Sequence, residues 1–227
     1  IKTMSCLELF FKNNLPDDFD VARSPEQIEI IKYFHPAGGC IGKLFKTMSD
    51  TVYRQKVAEA VAKITKEKAL EKIGLDESQV SEIEPVHFEN FYWDEKSGRN
   101  YSKWIKKDHE FVSSAYQVTW IFFGDTQMYV YQYLLNMDRN EKKESTEEYF
   151  YKDVTNFSTS SDTVEQDTLY EEGGCLSGDT YKRQNVNMDR FQISAMGDKF
   201  WCSMRQNEYS ERAIQGMKAK LREKKNQ

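Results

Sequence analysis

The stretch Ser114-Ala-Tyr-Gln-Val-Thr-Trp-Ile-Phe-Phe123 and the dipeptide Gly124-Asp125 that follows it decide the fold class of this chain. The stretch is rich in β-branched and aromatic residues, which favour strands. Gly124-Asp125 is a two-residue hairpin signal with Gly at the position that needs a positive φ, and residues 127–137 continue as the return strand. Both faces of this hairpin are apolar, so we predict that it lies in the middle of a sheet.

Downstream of this hairpin, the sequence predicts further antiparallel strands. Residues 146–157 predict one strand, and residues 163–170 predict a weaker, edge strand. Residues 171–179 contain three glycines and predict a loop. Residues 190–204 repeat the strand, Gly-Asp, strand arrangement around Gly197, which supports an antiparallel sheet.

The last segment predicts an amphipathic helix. Ser210 is a start signal, and the apolar stripe that follows consists of Ala213, Ile214, Met217 and Leu221. Between residues 211 and 225, six basic residues face two acidic ones, so this is the stretch of the chain that favours an anionic partner. An amphipathic helix directly after an antiparallel sheet usually packs on that sheet.

The first part of the chain predicts about four short helices. Ser24-Pro25-Glu26 places a capping residue, a first-turn proline and an acidic side chain in order. An apolar stripe over residues 41–48 indicates a second helix, and Asp50 is the predicted cap of a longer third one. A fourth is predicted to run from a Thr65 cap to a stop at Gly74.

These patterns predict an α+β protein with a helical region at residues 1–86 and an antiparallel β module, closed by the C-terminal helix, at residues 87–227. The order of hairpin, meander, second hairpin and C-terminal helix resembles the pleckstrin-homology-like architecture, including its bacterial and GRAM-type relatives. The segments that carry this resemblance are residues 114–137, 149–154, 190–204 and 210–224.

The resemblance implies a β barrel or sheet, and it bears on the ligand. Lipid-headgroup-binding members of that family carry a basic cluster in the first hairpin loop, whereas Gly124-Asp125 is short and acidic here. The other common use of such modules is the docking of a protein or peptide against the sheet edge or the helix. We therefore expect a protein or peptide partner.

Composition excludes some function classes. The net charge of −5 argues against general nucleic-acid binding, because phosphate neutralisation needs a basic surface. Cys6, Cys40, Cys175 and Cys202 are widely spread, with no Cys-x-x-Cys pair, a pattern typical of reduced thiols in a cytosol. No apolar run approaches the roughly 20 residues of a membrane-spanning helix. We expect a soluble, cytoplasmic protein, and place it in a bacterial cell.

The sequence contains no complete cofactor or metal motif. Residues 37–43, Ala-Gly-Gly-Cys-Ile-Gly-Lys, depart from the phosphate-binding loop at its first Gly, and Leu44 follows where a hydroxyl is needed. We interpret this segment as a turn between helices. His35, His87 and His109 have no histidine at i+3 or i+4, so a zinc site would need distant residues. We expect no cofactor and no metal.

Two regions supply candidate interaction residues. Aromatic and basic side chains alternate between residues 88 and 107, and we interpret this run as a long connection that covers the sheet. Trp93 and Trp104 are the candidates within this run for an exposed aromatic patch. Aromatic side chains beside cations can also stack on single-stranded nucleic acid or on carbohydrate. On the C-terminal helix the candidates are Lys218, Arg222 and Lys225.

Our leading hypothesis is a non-enzymatic module that binds a protein or peptide. The first alternative is a membrane-surface adaptor that uses the basic C-terminal helix on anionic lipid. The second is a hydrolase assembled from dispersed histidines and the acidic clusters at residues 144–148 and 162–167, since paired acids perform glycoside hydrolysis. The sequence gives no indication of oligomeric state.

Overall fold

The computed structural model describes residues 23–36, 48–80, 83–93, 100–173 and 178–225. Within these ranges the chain forms four α-helices, one short 3-10 helix and nine strands in two sheets, which confirms the α+β prediction. In these ranges the two sheets do not close into a barrel. The helices are α1 Pro25–Phe34, α2 Asp50–Val61, α3 Lys66–Ile73, the 3-10 helix Glu77–Val80 and α4 Glu208–Lys225. The strands are β1 Val86–Tyr92, β2 Ser102–Ile105, β3 Glu110–Ser113, β4 Ala115–Phe123, β5 Gln127–Asn136, β6 Lys142–Phe150, β7 Val154–Glu171, β8 Thr180–Ala195 and β9 Asp198–Ser203.

Helix α1 begins, and helix α3 begins and ends, where the sequence signals predict. Ser24 caps α1 in a capping box, in which its hydroxyl accepts from the Gln27 N–H and the Gln27 side chain accepts from the Ser24 N–H. Thr65 caps α3, and Gly74 ends it in the left-handed conformation at a φ of 79°. Glycine adopts that conformation without steric cost.

Helix α2 begins one residue away from the expected cap. Ser49 is the N-cap, because its hydroxyl accepts from the Val52 N–H, and Asp50 is the first helical residue. An aspartate in the first turn suits the positive end of the helix dipole. The apolar stripe predicted over residues 41–48 lies largely outside the described residues, and the Gly-rich segment at 37–43 lies wholly outside them.

Sheet A is antiparallel, with the strand order β1-β4-β5-β6, so the β4–β5 hairpin lies in its middle as predicted. Its loop is residues 124–126 rather than a two-residue turn, and the Gly124 N–H donates to the Gln127 carbonyl at 2.9 Å. Gly124 does not have the expected positive φ. A Cβ there would lie 3.2 Å from the Tyr129 ring, so close approach is the reason for glycine at this position.

Sheet B has the strand order β3-β2-β7-β8-β9, and its β2–β7 pair is parallel while the other pairs are antiparallel. The prediction of a single strand at 146–157 is wrong, because residues 151–153 turn the chain from β6 in sheet A into β7 in sheet B. Residues 163–170 lie within β7, which pairs with β8 along its length. Strand β2 pairs with β7 only at Thr168 and Leu169, so the edge-strand prediction is wrong for these two residues, while residues 163–167 have no strand partner on that side in the described ranges. Strand β8 is also longer than expected, because pairing along β7 outweighs the weak strand propensity of its polar residues.

Strands β1 and β2 contain most of the aromatic residues of the run at 88–107 that we interpreted as a connection. Phe88 and Phe91 are both buried, and they project from opposite faces of β1 into two different core clusters. The β8–β9 hairpin turn is Met196-Gly197, with Gly197 at a φ of 83°, and Asp198 begins the next strand. The predicted glycine is therefore correct, but the turn lies one residue earlier than Gly-Asp.

Helices α1, α2 and α3 share one core cluster with both sheets. This cluster includes Phe34, Tyr53 and Leu70 from the helices and Phe91 and Val118 from sheet A, together with Val164 and Val186 from sheet B. A second cluster fills the space between sheet A, sheet B and α4. Helix α4 therefore packs on the sheets as predicted.

The chain passes from sheet B to sheet A at Ser113-Ser114, both fully buried. Tyr53 of α2 is also fully buried, and its hydroxyl donates to the Ser113 carbonyl at 2.5 Å. The Tyr53 ring stacks on Tyr33 of α1 at 4.6 Å between ring centroids and on Phe91 of β1 at 6.5 Å. Tyr53 therefore links two helices to the point where the chain changes sheets.

Side-chain amides of sheet A cover the outer edge of β9. The Gln117 side chain accepts from the Ser203 N–H at 2.6 Å, and the Gln132 side chain donates to the Trp201 carbonyl at 3.1 Å. Asn90 donates to the Met204 carbonyl at 2.8 Å. These bonds satisfy main-chain groups that an edge strand otherwise leaves unpaired.

Replacing Tyr53 by Phe is expected to lower the free energy of unfolding by about 1–3 kcal/mol, because the buried Ser113 carbonyl loses a donor. Tyr53→Ala should cost more, about 3–5 kcal/mol, through the additional cavity. Urea denaturation followed by circular dichroism measures both. The control is Tyr170→Phe, because Tyr170 is half-buried and its side chain makes no hydrogen bond in the described ranges. If Tyr53→Phe loses as little free energy of unfolding as this control, the proposed role of the Tyr53 hydroxyl is contradicted.

Gln117→Leu should lower the free energy of unfolding by about 1–3 kcal/mol, since the buried Ser203 N–H is left without its acceptor. Gln192→Leu is the matched control, because Gln192 is half-buried and its side chain makes only a long bond of 3.4 Å to Ser194. Urea midpoints with unchanged slopes give the comparison. Equal losses in the two variants would show that the amide does not hold β9.

Candidate functional site

Helix α4 carries the candidate site, and a local cap fixes where it begins. The Asn207 side-chain oxygen accepts from the Ser210 N–H at 2.9 Å, and the Ser210 hydroxyl accepts from the Asn207 N–H at 3.0 Å. The helix therefore begins at Glu208, two residues before the predicted start. One side of it is buried in the second core cluster through Ile214, Met217 and Leu221.

Beside this buried stripe, a groove of about 370 Å³ runs between α4 and residues 83–86, which lead into β1. This volume is at the lower end of the range for ligand pockets, about 300–1,000 Å³. The floor and walls of the groove are largely apolar. The apolar residues that line it are Ile83, Pro85, Val86, Phe123, Ala213 and Met217.

Polar side chains form the rim of the groove. Glu84 lies on one side, and Arg212 and Lys220 lie on the helix. Arg212 is exposed, and within the described ranges its side chain contacts only the Glu208 carbonyl, at 3.3 Å, with no carboxylate partner. Tyr209 closes one end, where its hydroxyl accepts from the His87 N–H at 3.0 Å. An apolar floor therefore lies next to a cation that has no ion pair in this part of the chain.

Gly216 keeps the helix side of the groove open. It lies in the interior of an 18-residue helix, where glycine costs about 1 kcal/mol relative to alanine. A Cβ at this position would meet nothing within 4 Å, so packing inside the described chain does not require glycine. Its effect in this structure is to leave space at the groove.

The predicted basic residues of α4 share one flank of the helix but do not line the groove. Lys218 is half-buried, Arg222 and Lys225 are exposed, and none of the three forms an ion pair with a described residue. At 100° per residue they lie to one side of the buried stripe, whereas Arg212 and Gly216 lie to the other. The structure therefore gives α4 two separate surfaces, which we call the groove and the basic flank.

The two predicted tryptophans lie in different environments. Trp93 is only 4% exposed and belongs to the core cluster that contains Tyr53, so it is not part of an exposed patch. Trp104 on β2 is half-buried and packs on Phe111 at 4.5 Å between ring centroids. It lines a polar cleft of about 430 Å³ together with Lys103 and Lys106.

Ion pairs already occupy most of the charged groups in this cleft. Lys103 is nearly buried and contacts Glu172 at 2.7 Å and Asp50 at 3.4 Å. Lys106 contacts Glu171 at 2.6 Å, and this contact lowers the pKa of Glu171. These ion pairs link α2, β2 and β7, so most charged groups of the cleft are not available to bind a ligand.

No residue of the two acidic clusters lines the groove or the polar cleft. Glu144 accepts from the Tyr131 hydroxyl at 2.6 Å, which lowers the pKa of Glu144. Asp162 pairs with Arg190 at 2.7 Å and Glu165 with Arg183 at 2.9 Å. These carboxylates have individual partners rather than a shared substrate position.

The three histidines are also apart. His35 lies 3.0 Å from the Tyr181 hydroxyl through its Nδ1. His87 stacks on Trp120, and burial lowers its pKa while Glu89 opposes the shift. His109 lies in the β2–β3 turn at a φ of 50°. Burial raises the pKa of the Tyr181 hydroxyl well above its usual range, so this hydroxyl is not an ionised nucleophile beside His35 at neutral pH.

Cysteine chemistry and metal binding find no support among the described residues. Burial raises the pKa of the Cys202 thiol to about 12, so this cysteine is not a thiolate nucleophile at neutral pH. Cys6, Cys40 and Cys175 lie outside the described ranges. Within those ranges no group of three His, Cys, Asp or Glu side chains is placed to hold a metal ion.

The sequence patterns predict the helix that forms one wall of the groove, but not the groove itself. The groove combines α4 with residues 83–86 and Phe123, which are far apart in the chain. The available signal was Gly216 inside an otherwise regular helical pattern.

In the described ranges, no helix has the combined length and apolar content needed to cross a bilayer.

Comparisons with models of protein families, with curated proteins and with solved structures gave no match to this chain.

Proposed function

We propose that this protein is a non-catalytic module that binds a short segment of another protein in the groove beside α4. The observation that carries this proposal is the combination of an open apolar floor with Arg212, a cation without an ion pair in the described chain. Peptide-recognition sites of this kind obtain affinity from one apolar anchor and orientation from a few polar groups.

The charges around the groove specify the chemistry of the partner. Residues 212–225 contain six basic side chains and one acidic side chain, although the whole chain has a net charge of −5. This local excess attracts an acidic segment and raises its rate of association. We therefore propose that the bound segment inserts a large apolar side chain over Val86, Phe123 and Met217 and places a carboxylate near Arg212.

We also propose a pleckstrin-homology-like relationship for the β module and action in the cytoplasm. An antiparallel sheet followed by a helix that packs on it supports the first proposal. The parallel β2–β7 pair departs from that architecture. The free, buried thiol of Cys202 is in keeping with a reducing compartment.

A second candidate function is supported by the basic flank, whose three residues form no ion pair with described residues. An anionic membrane surface attracts such a cluster. The apolar stripe of α4 is buried against the sheets, so it is not available to insert between lipids. Membrane contact by the folded protein would therefore be electrostatic.

The groove is tested by filling it. Random-sequence peptides selected on the full chain are expected to share an apolar residue beside an acidic one, and Gly216→Leu should weaken their binding by about tenfold or more. Arg212→Glu should weaken the same peptides, because it reverses the charge at the rim. Fluorescence anisotropy with labelled peptides measures the affinities.

The matched control for the groove is Ala219→Leu, which adds the same side chain at an exposed position of α4 outside the groove. It should leave peptide affinity within about twofold of the original chain. If Gly216→Leu binds the selected peptides as well as Ala219→Leu does, the groove is not the binding site. Selection of peptides without an acidic residue would contradict the proposed role of Arg212.

The basic flank is tested with lipid vesicles. If this candidate function holds, the full chain will bind vesicles that contain phosphatidylserine at low salt and be released at high salt, because surface charges are screened. Lys218→Glu combined with Arg222→Glu should then abolish binding, while Gly216→Leu should not affect it. Co-sedimentation measures the bound fraction, and no binding at low salt removes this candidate.

A further inference from the structure

We propose that β6 pairs antiparallel with β6 of a second copy of this chain, so that sheet A continues across a two-fold symmetric dimer. This inference is independent of the groove and of the basic flank. It rests on three features of β6, namely its open edge, the direction of its main-chain groups and the order of its charges.

Strand β6 is the open edge of sheet A in the described part of the chain. It pairs only with β5 on one side, and of its nine residues only Tyr149 is buried. The edge of sheet B at β9, by contrast, is covered by amides from Asn90, Gln117 and Gln132. A long uncovered edge strand is a template for another strand.

The main-chain hydrogen bonds show which β6 groups point outward. The Tyr151 N–H donates to the Thr126 carbonyl at 3.1 Å, and these two residues lie opposite each other in the β5–β6 register. Because bonded and non-bonded positions alternate in an antiparallel pair, the odd-numbered residues of β6 bond to β5. The N–H and C=O groups of Lys142, Glu144, Thr146 and Glu148 therefore point away from the sheet.

The order of charges in β6 is self-complementary in one register. Residues 142–148 read Lys-Lys-Glu-Ser-Thr-Glu-Glu. With the two-fold axis at Ser145, Lys142 lies opposite Glu148 of the second copy, and Lys143 lies opposite Glu147. Opposite charges at such positions stabilise a strand pair. This register also places outward-pointing main-chain groups opposite each other, as antiparallel bonding requires.

Neighbouring registers are less favourable. A two-fold axis at Glu144 places this residue opposite Glu144 of the second copy. An axis at Thr146 places Glu144 opposite Glu148 of the second copy. Like charges directly opposite each other destabilise a strand pair. The axis at Ser145 instead places Glu144 opposite Thr146. The charge order thus selects one register as well as one partner.

The side chains needed for this pairing have no ion pairs in the described part of the chain. Lys142 and Lys143 are exposed. Glu147 accepts from the neutral Tyr149 hydroxyl, and Glu148 accepts from the Gln127 amide at 2.9 Å. Even-numbered and odd-numbered side chains project from opposite faces, so each face of the joined sheet receives two opposite-charge pairs.

Helix α3 leaves room for the second copy. Its Lys68 ammonium lies 4.7 Å from the centre of the Tyr133 ring of β5, and its Lys72 ammonium lies 3.5 Å from Glu144 of β6, so α3 packs over β5 and reaches β6 through a long lysine side chain. In the joined sheet the two β5 strands would be about 14 Å apart, three spacings of about 4.8 Å. Packed helices need about 8–10 Å between their axes. The two copies of α3 on the same face therefore do not collide.

Lysines on an edge strand have an ordinary alternative role, which is to prevent edge-to-edge pairing. The two roles give opposite results in a charge exchange. Lys142→Glu with Lys143→Glu makes all four cross-strand pairs repulsive in its own dimer, and Glu147→Lys with Glu148→Lys does the same. When the two double variants are mixed, every one of the four pairs is again opposite in charge.

Sedimentation velocity of the full chain over a concentration series tests the proposal. The original chain should form dimers that weaken with salt, and each double variant should raise the dimer dissociation constant by about tenfold or more. The equimolar mixture should return to within about threefold of the original value. Thr146→Pro, which removes an outward N–H without changing charge, should also weaken the dimer.

The control is Lys107→Glu with Arg205→Glu, two exposed positions away from β6 that receive the same change in net charge as the lysine variant. It should dimerise like the original chain, and melting curves show whether each variant is folded. A monomeric original chain at all concentrations overturns the proposal. So does a dimer that both double variants leave unchanged, or a mixture that fails to restore association.

Discussion

The contact of Tyr53 with Ser113 is the interaction on which the arrangement of helices and sheets depends. A chain that leaves one sheet and enters another exposes main-chain groups inside the core, and buried groups of this kind need partners. Tyr53 donates its hydroxyl to the Ser113 carbonyl, and the Ser114 N–H donates to the Tyr101 carbonyl at 2.9 Å. The Tyr53 ring also packs against Tyr33 and Phe91, so the same side chain holds α1 and β1. The helical part is therefore joined to the β part through a shared core.

This junction determines which surfaces remain available. Because β9 lies against β1 and β4 of sheet A, amides from sheet A reach the outer edge of β9 and bond to its main-chain groups. Helix α4 covers the second core cluster but leaves a groove where Gly216 faces residues 83–86. Strand β6 lies at one end of sheet A, where no described strand pairs with its outer edge. The groove and the β6 edge are thus separate surfaces, and each offers one mode of association.

Part of the candidate site could be predicted from the sequence. The spacing of Lys218, Arg222 and Lys225 places them on one flank of a helix, and the structure has them there. Trp93 shows the limit of this reasoning, because the same aromatic pattern suits an exposed patch and a strand that points into a core. Its burial depends on α1 and α2 packing over β1, and no local pattern encodes that contact. The groove has the same origin, since its walls come from distant parts of the chain.

The sequence by itself determined the α+β class, the starts of α1 and α3, the central hairpin of sheet A and the apolar stripe of α4. These features follow from short-range periodicity and capping, which involve neighbours in the chain. Only the tertiary structure decided that residues 146–157 divide between two sheets, that β7 pairs with β8 along its length and that the helices share a core with both sheets. These outcomes depend on contacts between residues far apart in the chain, where burial and pairing outweigh local propensity.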